Sequence, residues 1–555
     1  MDAGKFLRER FIHMKRIAAV FLILALLLSL ASCSDGSGGA FYYPVSAAPS
    51  SLDPQFTQGT DTKIIINSCF EGLTRVDGNG QVVPGVAESW SVSPDLLTYT
   101  FKLREDTSWR VVKSSNGTVL GDDYEETFDA SVTAYDFVFA FRRAVNPQML
   151  CPDAALFFPI KNAEQIFNGS ADISTLGVKA DDKYTLTVTL NSPCADFLER
   201  LSESVFMPCN EDFFNLTGGR YGLSSEYLLC NGPFYITFWD PEQYITVRKN
   251  NLYSGNSEVS PATVSFYFNS DSADIAKKLS LGTYSASVFP NSDLYGLENV
   301  NVQLINDTVY GFCFNCDDSV MSNEAVRLAF CNSIKRDELS ALQPTADFYS
   351  GLVPPCCTAC GANYNELTKN SAKGISYNES SATAYWNKAL EELGTNKVTV
   401  KLLCSEKYDM ALRPQLQIWQ RVLSTSLAIS VEAVSDDELL RRIKSGDYQI
   451  ALAPVAASTI SASGFLNSFT SDKADNIFNY VNDEYVSLVK NTMNHNASTD
   501  IVSACFAAES HLLNHAVFYP LYLAPSAFVC AEDIEQIHCS ASGDSICFIE
   551  AKRFD

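Results

Sequence analysis

The segment Leu97-Thr98-Tyr99-Thr100-Phe101-Lys102-Leu103 alternates apolar and polar side chains, the two-residue period of a half-buried strand. Strand-like character covers 82–103, preceded by the turn signal Asp77-Gly78-Asn79-Gly80. The period then changes. Thr133-Ala134-Tyr135-Asp136 fits a capping box, Phe137, Val138, Phe141 and Val145 follow at helical spacing, and Asn146-Pro147 closes the segment. A second strand pattern occupies 184–190 and stops at Asn191-Ser192-Pro193. Ser322 is placed to cap a helix running to about Ile334, with Ala325, Val326, Ala329 and Phe330 as its apolar stripe. Strands are expected over 397–403 and 428–434, a helix over 414–423 between them, and another over 437–444. Strands alternating with helices argue for an α/β chain with a largely parallel sheet. No repeat of roughly 20–50 residues marks a solenoid or propeller.

Composition adds the compartment. The 555 residues are 46% hydrophobic and 12% aromatic, too apolar for a disordered chain and enough for two or more packed domains. With 40 Lys+Arg against 65 Asp+Glu the net charge is -25, which opposes binding to phosphate backbones, so no nucleic-acid partner is expected. Lys5, Arg8, Arg10, Lys15 and Arg16 precede the apolar run 17–28, which is short of the roughly 20 residues a spanning helix needs. Residues 1–33 read as a secretory signal. Its end, Leu30-Ala31-Ser32-Cys33, resembles the bacterial lipoprotein signal, which implies that Cys33 is acylated and becomes the mature N-terminus. The expected location is the extracytoplasmic face of the cell membrane, or the periplasm where an outer membrane is present. Met14-Lys15-Arg16 would serve equally as a start, and 34–40 has the composition of a flexible tether. Without residues 1–33 the chain keeps 35 Lys+Arg against 63 Asp+Glu, a net charge of -28.

Seventeen Cys and five His leave little room for His-based catalysis. Cys313-x-x-Cys316 and Cys356-Cys357-x-x-Cys360 have spacings that suit a tetrahedral zinc, disulfides, or thiols used as small buried hydrophobes. His511 and His515 would share one helix face near Glu509, a geometry zinc sites use, but Leu512 stands where a hydrolytic zinc motif carries Glu. A solvated helix face is the favoured reading there. No Gly-x-Ser-x-Gly elbow, phosphate-binding loop or dinucleotide fingerprint occurs, so no enzyme, cofactor or metal is expected.

Ser51-Leu52-Asp53-Pro54, Phe70-Glu71-Gly72-Leu73 and Pro84-Gly85-Val86-Ala87-Glu88-Ser89-Trp90 resemble the family 5 extracellular solute-binding proteins of ABC importers. The likeness continues in family order through Thr133–Val138 with Arg142, Leu176–Ala180, Tyr184-Thr185-Leu186, Asn231-Gly232-Pro233-Phe234 with Trp239, Val326–Ala329 and Gly446-Asp447-Tyr448. The resemblance implies a periplasmic-binding-protein-like α/β fold: two main lobes with a hinge, plus an inserted third lobe. The implied division is lobe I in parts 41–70, 204–308 and 517–555, lobe II over 71–203, and lobe III over 309–516, with crossovers near 300–310 and 510–520. It further implies a monomer that captures peptide-like solutes between closing lobes and hands them to the permease subunits of an importer. Two other functions fit the same chain: a peptide-sensing lipoprotein without transport, and a metal or metallophore binder.

Peptide-binding relatives carry an Arg, a Trp and an Asp at three-residue spacing on a lobe III loop, the Asp pairing with the peptide ammonium. Gap-free alignment on Phe465-Leu466-Asn467 puts Leu452, Val455 and Ser458 at those positions, with Thr459 beside them. The loop 454–464 contains no acid, so it offers no charge-assisted bond to a buried ammonium. Asp153 aligns near a family cleft position and is the candidate replacement carboxylate, with a capped surface turn as the favoured alternative for it. Gln58, Gly59 and Thr60 match a lobe I loop whose backbone would meet a peptide-like main chain.

Overall fold

The computed structural model describes residues 39–554 except 58, 78–80, 111–127, 195, 256, 290–293, 295, 343–347, 372–373, 458, 471–475, 493–497 and 541–544. The segment 1–33 expected to be a secretory signal, with Cys33, and also Gln58 and Ser458 therefore lie outside the described residues. Among those described, no helix is long and apolar enough to cross a membrane.

Four principal sheets build two bodies. In the first body, Ala40–Val45, Thr263–Phe268, Tyr244–Lys249 and Phe234–Asp240 lie side by side in that order, the first pair parallel and the rest antiparallel. A second four-stranded sheet, Ala87–Val92, Thr98–Leu103, Thr185–Thr189 and Val178–Asp182, is antiparallel throughout. One continuous apolar core joins both sheets, with Phe41, Phe70, Phe101, Phe141 and Phe266 among its members. Three more strands, Ala286–Phe289, Ser526–Ala531 and Val300–Ile305, form an antiparallel sheet that leads out of this body.

The second body is a five-stranded mixed sheet in the order Leu427–Val434, Val398–Ser405, Ile450–Ala456, Thr308–Phe314 and Phe518–Leu523. All seven residues of Thr308–Phe314 are buried. Tyr310, Phe312 and Phe314 enter one core, whereas Val309 and Cys313 enter another on the opposite face. A strand apolar on both faces is what a sheet covered on both sides requires.

Two crossovers join the bodies, Ile305 to Thr308 and Leu523 to Ser526. Asp307 ties them together, its carboxylate accepting from the Ser526 backbone N–H (3.0 Å) and from Ser526 Oγ (2.8 Å). The second crossover thus follows Phe518–Leu523, a strand paired with Thr308–Phe314. That strand belongs with the five-stranded sheet, and the expected lobe III boundary at 516 lies just before it.

The Ala134–Val145 helix forms as expected, with Asp136 accepting the Thr133 backbone N–H at 2.7 Å to close the capping box. The helix expected after Ser322 is capped instead by Asn323, whose side chain accepts from the Val326 N–H. The expectation of a largely parallel sheet is corrected: parallel pairing among named strands is confined to Ala40–Val45 with Thr263–Phe268 and to the two neighbours of Val398–Ser405. Short connections such as that between Phe234–Asp240 and Tyr244–Lys249 permit only antiparallel partners.

Candidate functional site

A cavity of about 680 Å³ lies between the two bodies. That volume falls within the range of small-molecule sites. Several of the family-like sequence blocks meet at its floor. The Glu71 N–H donates to Asn231 Oδ1 (3.1 Å), Asn231 Nδ2 donates to the Glu71 carbonyl (2.9 Å), and the Val86 N–H donates to the Gly72 carbonyl (2.8 Å). Gly232 packs so closely on this turn that a Cβ would stand 2.6 Å from the Phe70 nitrogen, a separation no side chain tolerates. Asp53, in the Leu-Asp-Pro block, is used differently. It accepts from buried Arg143 at 2.5 Å, while Phe214 lies under the guanidinium at 4.2 Å.

The first body's wall is charged. The Thr60–Cys69 helix presents Lys63 and Asn67, the turn and strand after it present Glu71 and Arg75, and Asp153, Asp196, Glu199, Arg200 and Glu203 complete the wall. Lys63 Nζ stands 3.7 Å from Asp153 and 3.9 Å from Glu203. Burial raises the Glu71 carboxyl above its ordinary range, and the hydrogen bond from Tyr253 (2.6 Å) with the charges of Arg75 and Arg104 offsets this only in part. Asn67 Oδ1 and Arg75 Nε, both buried atoms of cavity-lining residues, have no hydrogen-bond partner among the described residues. One is an acceptor and the other a donor, so both kinds of polar group stand unpaired in residues that line the cavity.

The opposite wall comes from the five-stranded body and is mostly uncharged: Thr459, Ser461, Gly464, Asn467 and Ser468, with Lys444 as its one charged residue among those described. Ser461 caps the Ala462–Asn467 helix through the Gly464 N–H. The two walls touch at Asp196. Its carboxylate accepts from Ser461 Oγ (2.8 Å), Ser463 Oγ (3.2 Å) and Cys194 Sγ (3.1 Å) and pairs with Arg200 at 2.9 Å. Burial by itself would raise this carboxyl; the Arg200 charge and the hydrogen bonds together outweigh it and hold Asp196 below the usual carboxylate range.

Among the residues singled out from sequence, Asp153 and Thr459 line the cavity. Gly59, at φ +92°, and Thr60 are exposed where the Thr60–Cys69 helix begins and are not in the lining. Leu452 and Val455 are buried in the cores on opposite faces of the sheet, opposite Phe312 and Val309 respectively. Their strand lies inside the sheet, so neither side chain is available to the cavity, and their expected place in the ligand site is corrected. Sequence reasoning missed Asp196, Arg200, Arg75, Asn67 and Ser461. Glu71 lay inside a family-like block and could have been found there.

The thiol and imidazole motifs lie apart from this cavity. No disulfide joins any of the described cysteines, and all except Cys316, Cys360 and Cys547 are buried. His511 is buried rather than on a solvated face, with Tyr480 Oη 3.0 Å from its Nε2 and its ring stacked on His515 at 4.2 Å. Glu509 is buried too, accepting from the Leu352 and Val353 N–H groups and from Tyr364 Oη.

The family model described as "Bacterial extracellular solute-binding proteins, family 5 Middle" matches residues 81–476. The dipeptide-binding protein DppE of Bacillus subtilis is 27% identical over 504 residues, covering 88% of this chain and 87% of its own length. A probable deoxycholate-binding periplasmic protein of Escherichia coli, YgiS, is 25% identical, covering 87% of this chain and 88% of its own. Among solved structures, Listeria monocytogenes OppA bound to peptide superimposes with a TM-score of 0.71 at 25% identity, covering 94% of this chain and 100% of that one.

Proposed function

This chain belongs to family 5 of the bacterial extracellular solute-binding proteins, a family of binding proteins rather than enzymes, and we propose that its ligand is a peptide-like solute held between the two bodies and delivered to an ABC import permease. In this reading the body with the two four-stranded sheets comprises lobes I and II, and the five-stranded body is lobe III. The two crossovers are the hinge, and ligand favours the closed form because only there does it touch both walls. Acylation of Cys33 would hold the protein at the membrane, the 34–40 tether giving it room to move.

The observation that carries the reading is the two-walled cavity lined by charges of both signs on one side and by hydroxyls and an amide on the other. A zwitterionic, amide-rich ligand matches such a lining better than a purely apolar one. Among the described residues the lobe III wall carries no acid, so that wall offers the ligand's amino group no charge-assisted bond and leaves it to the acids across the cleft. Calorimetry with tri- and tetrapeptides, each free and N-acetylated, tests this, with deoxycholate as a non-peptide arm. The expected result is peptide binding that falls by less than about tenfold, roughly 1.4 kcal/mol, on acetylation. Binding of deoxycholate but of no peptide overturns the peptide reading. Mass spectrometry of the membrane-extracted protein tests the anchor: a diacylated Cys33 is expected, and an unmodified N-terminus at another residue rejects it.

A further inference from the structure

Asp196 and Arg200 belong to the first body, whereas Ser461 and Ser463 belong to the second. Asp196 lies 265 residues from Ser461 along the chain, yet its Oδ2 receives both serine hydroxyls, at 2.8 and 3.2 Å, and forms an ion pair with Arg200 Nη2 at 2.9 Å. Its other oxygen receives Cys194 Sγ at 3.1 Å. Charge-assisted bonds of this kind are the stronger class of hydrogen bond, more so away from water. The serines are also firmly seated. Thr358 donates its N–H to the Ile460 carbonyl at 2.6 Å and bridges to Ser461 in parallel fashion. Cys356, two residues before it, donates its N–H to the carbonyl of Asn306 in the first crossover (3.1 Å).

We propose that Asp196 is a closure residue: a carboxylate from lobe II, oriented by Arg200, that locks onto the Ser461 and Ser463 hydroxyls of lobe III and stabilises the closed cleft through that contact. It is a positioning residue. The contact forms only when the lobes approach, so it adds to closure whatever solute is bound, and a pre-stabilised closed form raises the apparent affinity for every ligand alike. It also supplies a negative charge to a lobe III loop that has none of its own, and that charge is already fully engaged by protein donors.

The inference rests on the two-lobe ligand reading, but its test does not require a ligand. Nitroxide side chains introduced as noncanonical amino acids at exposed Glu164 and Glu391, one on each body, leave the thiols untouched and report the inter-lobe distance by pulsed electron resonance. The ligand-free wild type should show a short and a long distance. Ser461→Ala/Ser463→Ala, which keeps the Asp196–Arg200 pair, should lower the short-to-long ratio about tenfold, the usual scale for hydrogen bonds to a charged group. Asp196→Asn should do the same. A single long distance in the wild type overturns the proposal. So does an unchanged distribution in the double serine variant, even if Asp196→Asn alters it. With trialanine as probe, the double variant should lose affinity by the same factor; no peptide binding by either protein removes the peptide reading and leaves the distance result standing.

Discussion

The two walls of the cleft are made from different chemistry. The wall of the first body carries Lys63, Glu71, Arg75, Asp153, Arg200 and further acids, whereas the wall of the five-stranded body offers hydroxyls, an amide and a glycine, with Lys444 as its one charged residue among those described. Lobe III does own buried charge, but it serves folding: Glu509 sits deep in the core and satisfies two backbone N–H groups. The difference teaches that charge in the cavity is concentrated on one side, while the other side supplies mainly neutral hydrogen-bonding groups. A wall of that kind tolerates varied ligands, because hydroxyl rotors can donate or accept.

Removing one charge from each wall tests the contrast most sharply. Arg200→Ala leaves Asp196 buried without its guanidinium and should cost about 3–5 kcal/mol, read from the shift in urea midpoint. Lys444→Ala, on the opposite wall and exposed, should stay within about 0.5 kcal/mol. Equal effects would erase the distinction between the walls.

Next in size is Glu509→Ala, which orphans two buried amides and the Tyr364 hydroxyl and should destabilise lobe III by about 2–4 kcal/mol. Hydrogen exchange should locate the loss around Leu352 and Val353, and a loss spread evenly over both bodies would contradict the assignment.

The bodies should also respond to pH in opposite senses. Burial pushes the Asp136 carboxyl up to about 7, outweighing the Thr133 hydrogen bonds. Its contribution to stability is fully present below its ordinary value of 3.8 and is lost as pH rises through about 7. Burial, then the neighbouring His515, lowers the His511 imidazole below its ordinary 6.5, and Glu484 and Glu324 oppose this. Its contribution is present above 6.5 and is lost as pH falls through the lowered value. Hydrogen exchange corrected for intrinsic rates, at pH 5 and pH 7.5, should show lobe II loosening at the higher pH and lobe III at the lower. Asp136→Asn should flatten the first trend alone; a wild type in which both bodies loosen together rules the pairing out.

The smallest effect is expected for Asp153→Ala. The Lys63–Asp153 pair is long and its side chains are 26% and 30% exposed, so stability should change by less than about 1 kcal/mol in thermal melts. A larger loss would mean that Asp153 organises the wall rather than merely charging it.

Much of the secondary structure was legible in the sequence. The Ala134–Val145 helix with its Thr133 cap, and the strands Thr98–Leu103, Val398–Ser405 and Leu427–Val434, follow from period and punctuation. Adjacent residues able to cap a helix are harder to separate, which is why Asn323 rather than Ser322 takes that role. The site was less legible. Matching by position put Leu452 and Val455 in the cleft, yet their strand is covered on both faces and both side chains pack into cores. Asp196 follows closely on a Pro-Cys pair in a stretch with no period, so nothing local distinguished it.

What the sequence determined by itself is therefore what short-range physics encodes: the period of each element, the caps, the family blocks and the want of an acid over 454–464. Only the tertiary structure decided which carboxylate faces that loop. Asp196 reaches Ser461 because separately packed bodies, joined by two crossovers, bring distant segments to one cleft. Contacts of that range depend on how the cores dock, which no local pattern of apolar and polar residues records.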